Sequence, residues 1–256
     1  MRHLAGGLVF TGFFMVAFSG MTAWGQGLTS PTADEIAVRM ARRNAERQAA
    51  LARYTSDRTY RVEYKGTGGE HHGEMVVHVE YTAPGQKHLT VVSESGSKLI
   101  CDKVLRRMVA SEEEASANTN KKQMALLPEN YNIELVGQET VDGVRTWVLQ
   151  VSPKVESKFM YRGRVWVSMD DYAMVRLLGE PAKNPSWWIN HASFDWHYGR
   201  NGEFWLPVRN VAVSHVRIGG EATLTIDYGE YQVVSTGPDR ITTSENVPPA
   251  HTAGTR

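Results

Sequence analysis

The sequence predicts a mainly β fold in which one curved antiparallel sheet of about ten strands is covered by two or so helices. From about residue 131 onward, segments of alternating apolar and polar residues follow one another, joined by turns such as Asp142-Gly143 and Gly219-Gly220. Two earlier segments repeat their apolar residues every three to four positions, as amphipathic helices do. The 256 residues, 41% of them hydrophobic, are enough for one large domain.

Composition excludes several functional classes. Lys plus Arg (28) equals Asp plus Glu (28), so no net charge attracts nucleic acid, and none is expected as a partner. The mean hydropathy of −0.37 excludes a polytopic membrane protein. The one cysteine, Cys101, excludes a disulfide framework and a multi-cysteine metal site. Because it lies in an apolar helical stripe, we interpret it as a small buried side chain.

The first 25 residues have the pattern of a secretory signal peptide. Arg2 is followed by an apolar run from Leu8 to Phe18, and Ala23-Trp24-Gly25 offers small residues for cleavage. The run is shorter than the roughly 20 residues that span a bilayer, although an uncleaved anchor is the alternative. We therefore expect export to the periplasm. The expected divisions are a signal peptide at 1–25, one folded domain at 26–235 and a polar, disordered tail at 236–256.

Helix signals precede the first strands. Ser30-Pro31 and the capping box Thr32-Ala33-Asp34-Glu35 begin a helix whose apolar stripe continues through Ile36, Met40, Leu51 and Tyr54. After Asp57 a period of two predicts a hairpin and a third strand from Lys87 to Ser93. Helical spacing returns from Ser97 to Ala117. The later predicted strands are Asn130–Gln138, Arg145–Pro153, Lys158–Ser168, Ala173–Glu180, Ser186–Tyr198, Glu203–Ile218 and Glu221–Val234.

Sequence motifs for catalysis are absent: there is no P-loop, no G-x-S-x-G, no H-E-x-x-H and no C-x-x-C. The run Glu70-His71-His72-Gly73-Glu74 contains zinc-type ligands, but adjacent strand residues point to opposite faces, which favours a polar turn. The same objection is raised against a hydrolase that would use His191, Ser193 and Asp195. We therefore expect no enzyme, no cofactor and no bound metal.

Large apolar side chains gather in the second half of the chain. Six of the seven tryptophans lie between Trp147 and Trp205. Two helices, one of them strongly basic, are too few to cover both faces of about ten strands. Part of the apolar surface must be filled by those helices, but we expect a residual groove that accepts a lipid. The candidate lining residues are Trp147, Met160, Trp166, Met174, Trp188, Phe194 and Trp196.

Several hairpins share a rhythm of strands and turns with a known family. They are Tyr131 to Gly137, Val141 to Lys154, Tyr161 to Val167, Asp170 to Arg176, Gly202 to Val208 and Ala222 to Tyr231. Over roughly residues 30 to 235 the chain resembles exported LolA-like outer-membrane lipoprotein-sorting proteins. The resemblance implies an unclosed antiparallel β half-barrel, lidded by helices, that carries lipoproteins or lipid acyl chains across the periplasm.

The resemblance also implies partners and a gate. Relatives of the RseB type sense envelope stress, so the alternative is a sensor or protein-interaction module without lipid cargo. An inner- or outer-membrane protein is a candidate partner, and the chain itself is expected to be a monomer. Carriers of this family use a gating arginine, for which Arg39, Arg43 and Arg58 are the candidates, with headgroup contact as their other role.

Overall fold

The computed structural model describes residues 30–116, 125–157, 159–184, 189–217, 219–236 and 241–243. In these residues the chain forms two helical regions and one large antiparallel sheet that does not close. The fold class predicted from the sequence is confirmed. The predicted signal peptide and Trp188 lie outside the described residues.

Helix α1 spans Ala33–Ala50 and begins with the predicted capping box. The Thr32 hydroxyl accepts a hydrogen bond from the Glu35 amide at 3.2 Å, and the Glu35 carboxylate accepts one from the Thr32 amide at 2.9 Å. The expected continuation of the helical stripe through Leu51 and Tyr54 is wrong, because both residues belong to the first strand. Their strand pairs with residues 232–235, a partner that is too distant in sequence for helical periodicity to reveal.

The sheet contains twelve strands within the described residues. They are β1 (Leu51–Gly66), β2 (Gly69–Thr82), β3 (Gln86–Gly96), β4 (Tyr131–Val141), β5 (Val144–Pro153), β6 (Tyr161–Ser168), β7 (Met174–Pro181), β8 (Ile189–Asn201), β9 (Phe204–Val216), β10 (Gly220–Tyr228), β11 (Gln232–Ser235) and β12 (Ile241–Thr243). The last of these lies inside the stretch that we expected to be a disordered tail.

Ten strands form one antiparallel run in the order β3-β2-β1-β10-β9-β8-β7-β6-β5-β4. Strand β11 pairs with the first part of β1, and β12 pairs with β11. Among the described residues no ladder joins β3 to β4, so both remain edge strands. Local turn chemistry supports the hairpins: Asp142 and Gly143, with φ of 49° and 80°, join β4 to β5, as a turn of type I′ requires.

The second helical region consists of α2 (Lys98–Ile100), a π-helical turn (Cys101–Leu105) and α3 (Arg106–Ser116). We call these residues, 98–116, the second helical segment. It lies where the sequence predicts a helix, and Cys101 is buried as expected. A Cβ atom on Gly73 of β2 would lie only 2.6 Å from Cγ2 of Ile100, so glycine is needed for this close approach.

The face of the sheet that the helices cover, which we call the inner face, is largely apolar. One row of cross-strand partners crosses it from β4 to β2, and Asn210 is the only residue of this row without an apolar or aromatic side chain. The row is Leu135, Leu149, Val165, Leu177, Trp196, Asn210, Ile226, Tyr60 and Met75. On the edge strand β3 the partner of Met75 is the charged Glu94. Helix α1 packs over β4 to β7, and the second helical segment packs over β1 to β3.

Candidate functional site

A strip of the inner face on β8, β9 and β10 lies between the two helical regions. Its side chains Trp196, Tyr198 and Tyr228 keep part of their surface exposed. Burial nevertheless raises the pKa of Tyr198 to about 12 and also raises the pKa of Tyr228 strongly. Tyr198 also lines a cavity that opens beside α1. The strip is therefore the floor of a hollow.

One polar atom on this floor has no partner among the described residues. The Asn210 side-chain nitrogen donates a hydrogen bond to the Tyr228 hydroxyl at 2.8 Å, but its Oδ1 atom is buried without a donor. Leaving such an acceptor unpaired costs about 1–3 kcal/mol. The floor thus retains an unpaired acceptor, which lies beneath the surface of the hollow.

The larger cavity has a volume of about 600 Å³ and opens beside the C-terminal half of α1. Its size falls within the range of small-molecule sites, about 300–1,000 Å³. The helix supplies a polar wall and the sheet supplies an apolar one. The polar wall includes Asn44, Arg47 and Gln48, and the apolar wall includes Met174, Tyr198 and Leu206.

A second cavity of about 450 Å³ lies between the second helical segment and the sheet. Tyr60 of β1 and Ile226 of β10, both buried, form its floor. Val104 and Met108 cover it from the helical side. Its charged lining residues are Lys103, Arg107 and Glu112.

Arg58 stands between the linings of the two cavities. Its side chain is only 3% exposed, and its guanidinium donates to Glu112 at 2.7 Å and to the Tyr54 hydroxyl at 3.3 Å. The guanidinium also lies 4.7 Å from the centre of the Tyr228 ring. Tyr54 stacks at 5.0 Å on Tyr81, which lines the first cavity. A chain of contacts therefore leads from the first cavity through Arg58 to Glu112 in the second.

Glu112 ties the second helical segment to the sheet. Besides the contact with Arg58, its carboxylate accepts hydrogen bonds from Lys87 at 2.9 Å and from the Tyr60 hydroxyl at 3.0 Å. Burial by itself would raise the pKa of Glu112, but the charges of Arg58 and Lys87 outweigh this effect and lower the pKa to about 2. The carboxylate is therefore ionised over the whole physiological range. Because Glu112 lies 54 residues beyond Arg58, no local pattern in the sequence indicates the pair.

The structure brings five of the predicted lining residues together in one cluster. They are Trp147, Met160, Met174, Phe194 and Trp196. Helix α1 inserts Ile36 and Met40 into this cluster, so Trp147 and Met160 are buried against the protein itself. Phe194 and Trp196 are half-buried, and Met174 lines the larger cavity. The helix thus fills part of the predicted groove and leaves the rest open.

The prediction that Trp166 lines the groove is wrong, because Trp166 lies on the opposite face of the sheet. It packs there with Val148 and Val175. Its indole nitrogen donates to Glu139 at 2.8 Å, and the Arg176 guanidinium lies 4.9 Å from its ring. A strand alternates its faces, but the sequence does not show which face of β6 continues the face of Trp147.

The three candidate arginines have different environments. Arg39 donates to the Tyr172 hydroxyl at 2.8 Å and remains exposed. Arg43 pairs with Glu46 at 2.9 Å, again in an exposed position. Neither residue lines either of the two cavities. Arg58 alone is buried beneath a helix.

Arg47, which sequence reasoning missed, lines the larger cavity. It donates to the Asp171 carbonyl at 2.6 Å and lies 3.3 Å from the Asp171 carboxylate. The same carboxylate accepts a hydrogen bond from Trp205 at 2.8 Å, so it joins α1 to the sheet at the cavity rim. The only sequence signal for Arg47 is its place at the border of the apolar stripe near the end of an amphipathic helix, and this signal is weak.

The hydrolase candidates share one face, because they are two residues apart on β8, so the objection from alternating faces does not apply to them. Asp195 is engaged by Arg176 through contacts of 2.8 and 2.6 Å. His191 lies 3.5 Å from Glu180 and stacks on His215. The carboxylate that would orient a catalytic histidine is therefore occupied by an arginine.

No group of three His, Cys, Asp or Glu side chains in the described ranges is arranged to hold a metal ion. Likewise, no helix in that part of the chain combines the length and apolar character that a membrane crossing requires.

The proteins that match this chain are found among solved structures. No protein-family model matches the chain, and no curated protein matches it. A DUF1329 family protein from Desulfovibrio piger is 13% identical with a TM-score of 0.39, over 82% of this chain and 96% of that chain. A LolA superfamily protein from Nitrosomonas europaea is 10% identical with a TM-score of 0.35, over 86% and 96%. The MucA/MucB complex of Pseudomonas aeruginosa is 12% identical with a TM-score of 0.27, over 75% of this chain and 93% of that chain. The LolA-like family that the sequence resembles is thus among these distant structural matches.

Proposed function

We propose that this protein is a periplasmic carrier that shields the acyl chains of a lipid or lipoprotein in the hollow between its sheet and its helices. The observation that carries the proposal is the cavity of about 600 Å³ beside half-exposed aromatic rings of the inner face. Each methylene that leaves water contributes about 0.8 kcal/mol, so a long acyl chain needs such a shelter to cross an aqueous space. The proposal includes removal of residues 1–25 on export and a monomeric carrier.

The cargo would occupy the part of the inner face that α1 does not fill. Met174, Phe194 and Trp196 would line the acyl chain, whereas Trp147 and Met160 would support it from beneath the helix. After movement of the side chains that bury it, the unpaired Oδ1 of Asn210 would accept a hydrogen bond from an amide or hydroxyl of the cargo. The contacts of Arg39 and Arg47 with residues 171–172 would hold α1 at the rim.

Arg58 is the candidate gate, because its pair with Glu112 is a buried polar contact between the sheet and the second helical segment. Breaking the pair would free the segment to move away from the floor and join the two cavities. Glu112→Gln should therefore speed the uptake of a fluorescent fatty acid by the purified protein. Glu46→Gln, which removes an exposed carboxylate on α1, should leave the uptake rate unchanged. Equal uptake rates in the wild type, Glu112→Gln and Glu46→Gln would show that the Arg58 pair does not control entry.

The test of the carrier itself uses two alanines of α1. Both are exposed on the helix, but Ala49 lines the larger cavity and Ala45 does not. Ala49→Trp should block the cavity and lower acyl-chain binding at least tenfold, and Ala45→Trp should bind as the wild type does. Native mass spectrometry of the protein from its own host should show bound lipid. A clean apo mass together with no uptake of fatty acid would reject the carrier.

The second candidate function is a sensor or interaction module, favoured by the free edge of strand β4. Most of its residues are exposed, including the apolar Leu135 (36%) and Val136 (51%). An exposed edge strand can pair with an extended segment of another protein, such as the periplasmic part of a membrane protein. A photo-crosslinker at Val136, compared with one at Arg42 on α1, would identify such a partner in cells. Crosslinks that are equal at both positions would argue against it.

A further inference from the structure

The second cavity combines an apolar interior with two cations at its rim. Lys103 and Arg107 lie one helical turn apart and are both exposed. Tyr60, Ile226, Val104 and Met108 form the apolar part of the same cavity. The arrangement therefore has a charged end and an apolar end, as an amphiphile has.

The two cations have no ion-pair partner within the described residues, in contrast to their neighbour. Arg106 pairs with Glu94 at 2.7 Å and with Asp102 at 3.4 Å. No carboxylate of the described chain forms a salt bridge with Lys103 or Arg107. Lys103 also lies in the π-helical turn, a rare conformation that is frequent at functional sites.

The one carboxylate that lines the cavity does not neutralise these cations. Glu112 already pairs with Arg58 at 2.7 Å and with Lys87 at 2.9 Å. Two cations line the cavity, and two more, Arg58 and Lys87, pair with Glu112. These four cations face one anion, so the local charge is positive. A positive rim above an apolar floor is complementary to a negative headgroup that carries an acyl chain.

We infer that the cargo is an anionic amphiphile whose carboxylate or phosphate headgroup binds Lys103 and Arg107 while its acyl chain enters the hollow over Tyr60 and Ile226. This inference rests on the proposed carrier function and adds the chemical class of the cargo. The cross-strand row places Asn210 and Trp196 directly beyond Ile226, so the chain would follow the floor from the second cavity toward α1.

The test compares charged and uncharged ligands whose hydrocarbon chains have the same number of carbon atoms. Palmitate, hexadecyl phosphate and neutral monopalmitoylglycerol would each compete with an uncharged fluorescent acyl probe for the full-length protein. The double variant Lys103→Gln/Arg107→Gln should lose about tenfold in affinity for both anions, which corresponds to about 1.4 kcal/mol, and less than twofold for the neutral ligand. Lys98→Gln/Arg106→Gln removes two charges from the same helical segment outside the cavity lining and should behave as the wild type does.

The outcomes separate the two proposals. If the wild type binds the probe but the rim variant weakens all three ligands equally or none of them, the anionic headgroup is rejected and the carrier stands. If no acyl ligand binds at all, the carrier fails and the inference fails with it. Inorganic phosphate alone should not displace palmitate, and displacement would show that a free anion, not an amphiphile, occupies the rim. Circular dichroism of both double variants should match the wild-type spectrum, and a changed spectrum in the rim variant alone would assign its cations to folding and overturn the inference.

Discussion

Replacing Glu112 by glutamine tests how strongly the second helical segment is fixed to the sheet. The amide keeps the shape of the side chain but removes the charge that faces Arg58 at 2.7 Å and Lys87 at 2.9 Å. Arg58 is only 3% exposed, so its charge would stay buried without a counter-ion. Breaking one partner of a buried pair typically costs about 3–5 kcal/mol.

The lowered pKa of Glu112 gives an independent magnitude. In the folded chain it is about 2, against an ordinary value of 4.5. Since each pKa unit corresponds to about 1.4 kcal/mol, the ionised carboxylate stabilises the folded state by about 3 kcal/mol at neutral pH. Because the folded pKa is the lower one, this stability is complete above pH 4.5 and is lost as the pH falls toward 2. We therefore expect Glu112→Gln to lower the free energy of unfolding by about 3 kcal/mol at pH 7.

The assay is urea unfolding of the wild type and Glu112→Gln, followed by tryptophan fluorescence at several pH values. The difference between the two proteins should be largest above pH 5 and should shrink steadily below pH 4.5. Glu46→Gln, whose ion pairs on α1 are about half exposed, should cost at most about 1 kcal/mol. A Glu112→Gln loss below 1 kcal/mol at pH 7, or a loss that does not change with pH, would refute the buried pair as the anchor of the segment.

Two further predictions concern packing and ligand reporting. Gly73→Ala should lower the free energy of unfolding by about 1–3 kcal/mol, because the new Cβ would meet Ile100. In the same urea experiment the control Gly137→Ala, whose Cβ meets no atom within 4 Å, should change the free energy of unfolding by less than about 1 kcal/mol. Trp196→Phe should abolish most of the fluorescence change on acyl-chain binding, while Trp166→Phe on the opposite face should retain it; the reverse result would place the ligand outside the hollow.

Local patterns determined the elements of this fold. The capping box at Thr32, the turn at Asp142-Gly143 and the alternating runs depend on nearby residues, so the sequence alone predicts them. The buried position of Cys101 follows from helical spacing in the same way. Leu51 and Tyr54 are the exception, because pairing with β11 outweighs their helical spacing.

Tertiary structure decided which surfaces face each other. The sequence shows which residues of one strand share a face, but the register decides which face of the next strand continues it. Trp147 pairs with Val167, so Trp166 lies on the other face of the sheet. The amount of groove that α1 fills depends on its packing against β4 to β7, so hydrophobicity alone does not predict which tryptophans remain accessible.

The sequence by itself therefore determined antiparallel hairpins and two amphipathic helices, because those features follow from interactions between neighbouring residues. The contact between Arg58 and Glu112 and the cations at the second cavity were decided only in three dimensions. Each of these joins elements that are distant in sequence, and such contacts depend on how the helices dock on the sheet.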